Sequence, residues 1–148
     1  MHPSRHDTPS TGWDPLDLEH AELARMLDAL VSAVEADDLV RARTASEDLV
    51  RVAGEHFAHE ERLMREAGYP RLAQHKEAHD LYLADAARFA RHVQEKGLTP
   101  EFRRWAAVRA LEWFRFHIAA NDVALGAFLA ERQRALELRK SSPTPKPG

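Results

Sequence analysis

Between residues 13 and 138 apolar side chains recur with a period near 3.6, and helix-breaking residues cluster at only a few places. This pattern constrains the fold more than any other feature, because a sustained helical period is incompatible with the alternation of a strand. Pro15 falls in the first turn of the opening stretch, where its missing N–H costs nothing. Leu16, Leu23, Met26, Leu27, Leu30 and Val34 make an inner stripe that fades near Ala36. Asp37 or Asp38 caps a second helix carrying Leu39, Leu49, Val52 and Met64. Gly68-Tyr69-Pro70 ends it. A third helix runs from about Arg71 to Glu95 and stops at Gly97, and Thr99-Pro100-Glu101 starts a fourth. Four long helices with short connections predict an all-α fold, an antiparallel up-down-up-down four-helix bundle, over residues 13–138. Residues 1–12 and 139–148 carry no periodicity and are expected to form a flexible arm and a disordered tail.

The chain has 148 residues, enough for one core and too few for two. A net charge of −3 with scattered basic residues speaks against nucleic acid as a partner. The absence of cysteine excludes thiolate catalysis, disulfides, iron–sulfur ligation and cysteine-based zinc sites. No apolar run approaches the roughly 20 residues that cross a bilayer, and the first residues lack a signal-peptide core. A soluble cytoplasmic protein without a membrane partner is the expectation.

Against this frame stand five histidines and two carboxylates: His20, His56 with Glu60, His75 with His79, and His117 with Asp122. Residues four apart share one face of a helix, so the two middle pairs can both point inward. Imidazole and carboxylate donors without thiolate suit iron, manganese or zinc. Two carboxylates among five histidines suggest bridging, and hence a dinuclear site. The last pair is awkward, because five residues turn an ideal helix by about 140°. Either Asp122 reaches around or a π-bulge rotates it inward, and such bulges favour functional sites. The fourth helix is therefore expected to leave regular α geometry between His117 and Asp122.

These residues resemble the hemerythrin family, specifically its single-domain bacterial members. The family pattern is a lone His on the first helix, H-F-x-x-E-E on the second, H-x-x-x-H on the third and H-x-x-x-x-D on the fourth. All four parts stand here in order, the second reading His56-Phe57-Ala58-His59-Glu60-Glu61, and Asp17 and Tyr69-Pro70 are also similar to the family. The resemblance implies a non-haem di-iron centre, two Fe ions with an oxo or hydroxo bridge, that reversibly binds O₂. It implies that His75, His79 and His117 fill the coordination of one iron. His20 and His56 would hold the other, leaving an open position, and Glu60 and Asp122 would bridge the pair. Trp113 and Phe114 would line the O₂ pocket. Phe114 departs from the family, which usually has leucine there, and the stretch from Trp13 to His20 is shorter than in better-known members.

Three function classes follow. Reversible O₂ binding for storage, delivery or scavenging needs no catalytic side chain beyond the metals and is the favoured reading, a binding protein rather than an enzyme. The alternative is a di-iron redox protein acting on O₂, peroxide or NO, and a sensor would need a signalling domain. A monomer or weak homo-oligomer is expected. Among the remaining histidines, His59 reads as a surface residue or an outer partner of the ligands, His92 as solvated, and His2 and His6 as tail residues. Trp105 and Phe116 read as core aromatics, and Glu61 as part of a solvated face.

Overall fold

The computed structural model describes residues 8–141. Helix α1 spans Asp14–Glu35, α2 Leu39–Ala67 and α3 Leu72–Lys96. The fourth helix, α4, runs through 100–141 as five consecutive segments. Regular turns (Pro100–Arg104, Ala110–His117, Val123–Ser141) alternate with two π-helical ones, Trp105–Arg109 and Ile118–Asp122. Among the described residues there is no strand. Helix α2 packs against α1 and α3, and α4 packs against the same two neighbours.

The boundaries follow the local chemistry. Asp38, not Asp37, caps α2, its carboxylate accepting from Arg41 N–H at 3.1 Å. Asp37 instead takes a left-handed backbone (φ 53°) and pairs with Arg103, whose guanidinium also donates to the Val34 carbonyl near the end of α1. Gly68 adopts φ 67°, and the Tyr69 N–H returns to the Met64 carbonyl at 2.9 Å, a left-handed stop that a side chain would strain. Thr99 Oγ1 accepts from Phe102 N–H at 3.1 Å to open α4. His92 is half-buried rather than solvated, its Nε2 lying 2.6 Å from that same hydroxyl.

Two apolar clusters make the core. The larger gathers Leu23, Leu27, Leu30, Leu49, Phe57, Tyr82, Phe89, Phe102, Trp105 and Phe114 among others; the smaller gathers Leu16, Met64, Tyr69, Leu125 and Leu129. Along every helix the candidate ligands fall between members of one cluster and members of the other. The polar residues thus form a layer that separates the two.

Several expectations at the edges are corrected. Thr11, in the expected flexible arm, is buried, with its N–H and Oγ1 bonded to Asp17 Oδ1 at 2.9 and 2.8 Å. Its backbone crosses α4 at Gly126, where an added Cβ would lie 2.2 Å from the Thr11 carbonyl oxygen. Residues 139–141 of the expected tail are helical. The remainder of arm and tail, with His2 and His6, lies outside the described residues. Phe116 is no core aromatic: it is 70% exposed, because it sits about 200° around the helix from buried Phe114.

Candidate metal centre

All seven candidate ligands are buried and converge from the four helices: His20 from α1, His56 and Glu60 from α2, His75 and His79 from α3, His117 and Asp122 from α4. The pairs four apart reach inward from regular helix. The pair five apart reaches inward because Ile118–Asp122 is one π-helical segment, which absorbs the extra residue. The bulge expected from the spacing is present.

The donors sort into two groups that share both carboxylates: Glu60, Asp122, His75, His79 and His117 in one, and Glu60, Asp122, His20 and His56 in the other. Glu60 Oε1 lies 3.0 Å from His75 Nε2 and 3.2 Å from His79 Nε2, while Oε2 lies 3.4 Å from His20 Nε2 and against His56 Nε2. Asp122 divides in the same way, Oδ1 lying 2.8 Å from His75 Nε2 and 3.2 Å from His117 Nε2, and Oδ2 3.0 Å from His20 Nε2. Each carboxylate offers one oxygen to each histidine group.

Three further side chains hold the imidazoles from behind. Glu19 Oε1 lies 2.9 Å from His56 Nδ1, Glu61 Oε2 lies 3.0 Å from His79 Nδ1, and the Asn121 carboxamide lies 3.2 Å from His117 Nδ1. Glu19 and Asn121 did not stand out in the sequence, whereas Glu61 did, as the last residue of H-F-x-x-E-E. Glu61 is not solvated, as expected of it, but only 13% exposed. Asn121 follows His117 by four residues, a spacing that could have signalled it. His59 lies outside the seven candidates, its Nδ1 2.7 Å from the second Glu19 oxygen.

This arrangement fits a divalent cation. Carboxylates that accept from Nδ1–H leave the Nε2 lone pairs of His56 and His79 facing inward, toward other acceptors. His79 Nε2 and His117 Nε2 are 3.1 Å apart. That separation suits either one proton shared between the two nitrogens or one cation held by both. Two donors each about 2.1 Å from one ion, at right angles, are about 3 Å apart, matching the separations seen. Without a metal, protons must supply the charge. Burial disfavours the imidazolium of His56, but hydrogen bonds to Glu19 and Glu60 outweigh it and push the group up to about 10. Burial likewise opposes charge on His75, and Asp122 and Glu60 raise it to about 9. For Glu60 and Asp122 burial favours the neutral form, yet the surrounding imidazoles hold both carboxyls well below their usual range. His117 moves down, because burial there exceeds the pull of Asp122.

The two aromatic candidates part company. Phe114 is buried with its ring edge-on to His20 at 5.8 Å, beside the two-histidine group. Trp113 instead stacks on His117 at 4.7 Å and on Tyr82 at 4.3 Å, which places it by the three-histidine group. Neighbours in a helix diverge by about 100°, which here sets Trp113 and Phe114 beside different halves.

Fold and site together define a helical protein with a buried histidine–carboxylate cluster able to hold metal. Residues 11–129 match the model of the hemerythrin HHE cation binding domain, and the chain belongs to the hemerythrin family. It is similar to the bacteriohemerythrin of Stenotrophomonas maltophilia, at 29% identity over 80% of this chain and 75% of the relative. It is also similar to that of Ralstonia nicotianae, at 28% identity over 78% and 80%. Bacteriohemerythrin of Pseudomonas aeruginosa matches at 32% identity over 52% of this chain and 50% of its own length.

Proposed function

We propose that this chain is a non-haem di-iron protein that binds O₂ reversibly, for storage, delivery or scavenging. The observation that carries the reading is the division of Glu60 and Asp122, each with one oxygen toward each histidine group. On this reading His75, His79 and His117 hold one iron, His20 and His56 the other, and Glu60 and Asp122 bridge them. When bound, two ferrous ions would supply the two electrons that O₂ takes up at the less crowded half. The chain's own part is to orient and to exclude water. Glu19, Glu61 and Asn121 fix imidazole rings, and the Phe114 ring screens the two-histidine side. Asp and Glu donors with imidazole favour iron, manganese and zinc alike, so iron rests on the family.

The short connections 36–38, 68–71 and 97–99 support reading the four helices as an antiparallel up-down-up-down bundle. No described helix is long and apolar enough to cross a membrane. We place the protein in the cytoplasm, as a monomer or weak homo-oligomer with O₂ as its ligand. A redox role toward O₂, peroxide or NO would need a proton donor at the centre. Among the described residues, the half-buried His59 reaches the centre through Glu19.

Anaerobic loading with ferrous iron, then air, then removal of O₂ tests the reading. Two irons per chain and an absorption band that appears with air and reverses without it are expected. A band that never reverses would favour the redox role, and one iron per chain at saturation would overturn the two-iron centre.

A further inference from the structure

The two halves of the centre are unequally built, and the difference extends beyond the ligand atoms. The three-histidine half draws on five residues and the two-histidine half on four. In the first, Glu61, 13% exposed, holds His79, and Asn121 lies against His117. In the second, His56 depends on Glu19, which is 30% exposed and divides its carboxylate between His56 at 2.9 Å and His59 at 2.7 Å. His20 Nδ1 is buried and has no hydrogen-bond partner among the described residues. Glu19, His56 and His59 also line an open surface groove of about 540 Å³, whose wall carries Glu22 and Glu55 together with Arg51 and Arg62.

An outer partner fixes a ligating imidazole's orientation and strengthens it as a donor, and its loss typically costs about 10–100-fold in metal affinity. The half with more ligands, and with two of its imidazoles held by outer partners, binds its cation first and releases it last. We propose that the chain takes up its two cations in order, the three-histidine half first. Glu19 is then the positioning residue that sets how tightly the second cation is held, and that cation exchanges through the groove that Glu19 shares with His59. The proposal rests on the two-cation reading above.

The test titrates metal-free full-length chain with cobalt(II) under anaerobic conditions and counts species with zero, one and two ions by native mass spectrometry. This readout is independent of O₂. At one equivalent the one-ion species dominates, and the two-ion species forms only in excess. Glu19→Gln weakens the second step by about tenfold or more and leaves the first within about twofold, whereas Glu61→Gln weakens the first. Should Glu19→Gln not fold, His59→Gln loosens the same carboxylate without touching His56, and the loss again falls on the second step alone. The order is overturned if two ions bind with no one-ion species accumulating, or if the Glu19 or His59 variant weakens both steps alike or neither. A ceiling of one ion per chain would instead overturn the two-cation reading, and the order with it.

Discussion

Both halves of the centre meet at Glu60, so Glu60→Gln perturbs them together while preserving side-chain shape. Its two oxygens approach four imidazoles, at 3.0 Å from His75, 3.2 Å from His79, 3.4 Å from His20 and against His56, and the side chain is fully buried. Glutamine keeps one oxygen and replaces the other by an amide NH₂, which donates hydrogen bonds and cannot ligate. In the metal-free protein the change leaves the raised, charged His56 and His75 facing a neutral group. Removing one partner of a buried ion pair costs about 3–5 kcal/mol. Each kcal/mol moves the midpoint of a domain this size by about 2–4 °C, so melting should fall by about 6–20 °C. With metal, a residue that serves both ions should take both away when it fails, and Glu60→Ala should do the same. Circular-dichroism melts of the metal-free proteins and iron content after anaerobic loading read the two effects. A variant that keeps both irons and melts within about 2 °C of the parent would refute the claim that Glu60 serves both halves.

Phe114→Leu should enlarge the space beside His20, admit water and small anions, and speed oxidation of the oxygenated form. It should also cost on the order of 1 kcal/mol; an unchanged decay of the oxygenated spectrum in a fully metallated variant would show that Phe114 does not guard the site. Gly126→Ala puts a Cβ 2.2 Å from the Thr11 carbonyl oxygen and should displace the N-terminal segment, at about 1–3 kcal/mol; an unshifted melting midpoint would mean the segment contributes nothing. The metal-free protein should lose stability as pH rises. His56 and His75, raised from 6.5 to about 10 and about 9, contribute fully below the unfolded value and lose that contribution as pH passes their folded values. Glu60 and Asp122, shifted down, contribute above their unfolded values and lose that on acidification. Metal loading should remove the alkaline loss, since bound imidazoles are already deprotonated; a metal-free midpoint that stays flat from neutral pH to about 10 would contradict these charges.

What the sequence determined by itself is what depends on spacing along one helix. His56–Glu60 and His75–His79 face inward because four residues nearly complete a turn, and His117–Asp122 required a bulge because five overshoot it. The caps at Asp38, Gly68 and Thr99 are equally local, each a side chain or a left-handed glycine answering backbone groups within a few residues. The second π-helical segment, Trp105–Arg109, carries no such spacing conflict and was not legible. What only tertiary structure decided lies between helices. Glu19 is 37 residues from His56, and Glu61 is 18 from His79. The helical period alone does not distinguish those carboxylates from neighbours that face water. The same holds for Trp113, whose place against His117 and Tyr82 depends on how α3 and α4 pack, and for Thr11, buried because α4 presents a glycine where the chain crosses it. Helix periodicity fixes a side chain's direction from its own axis; which partner waits there is set by the packing of the other helices.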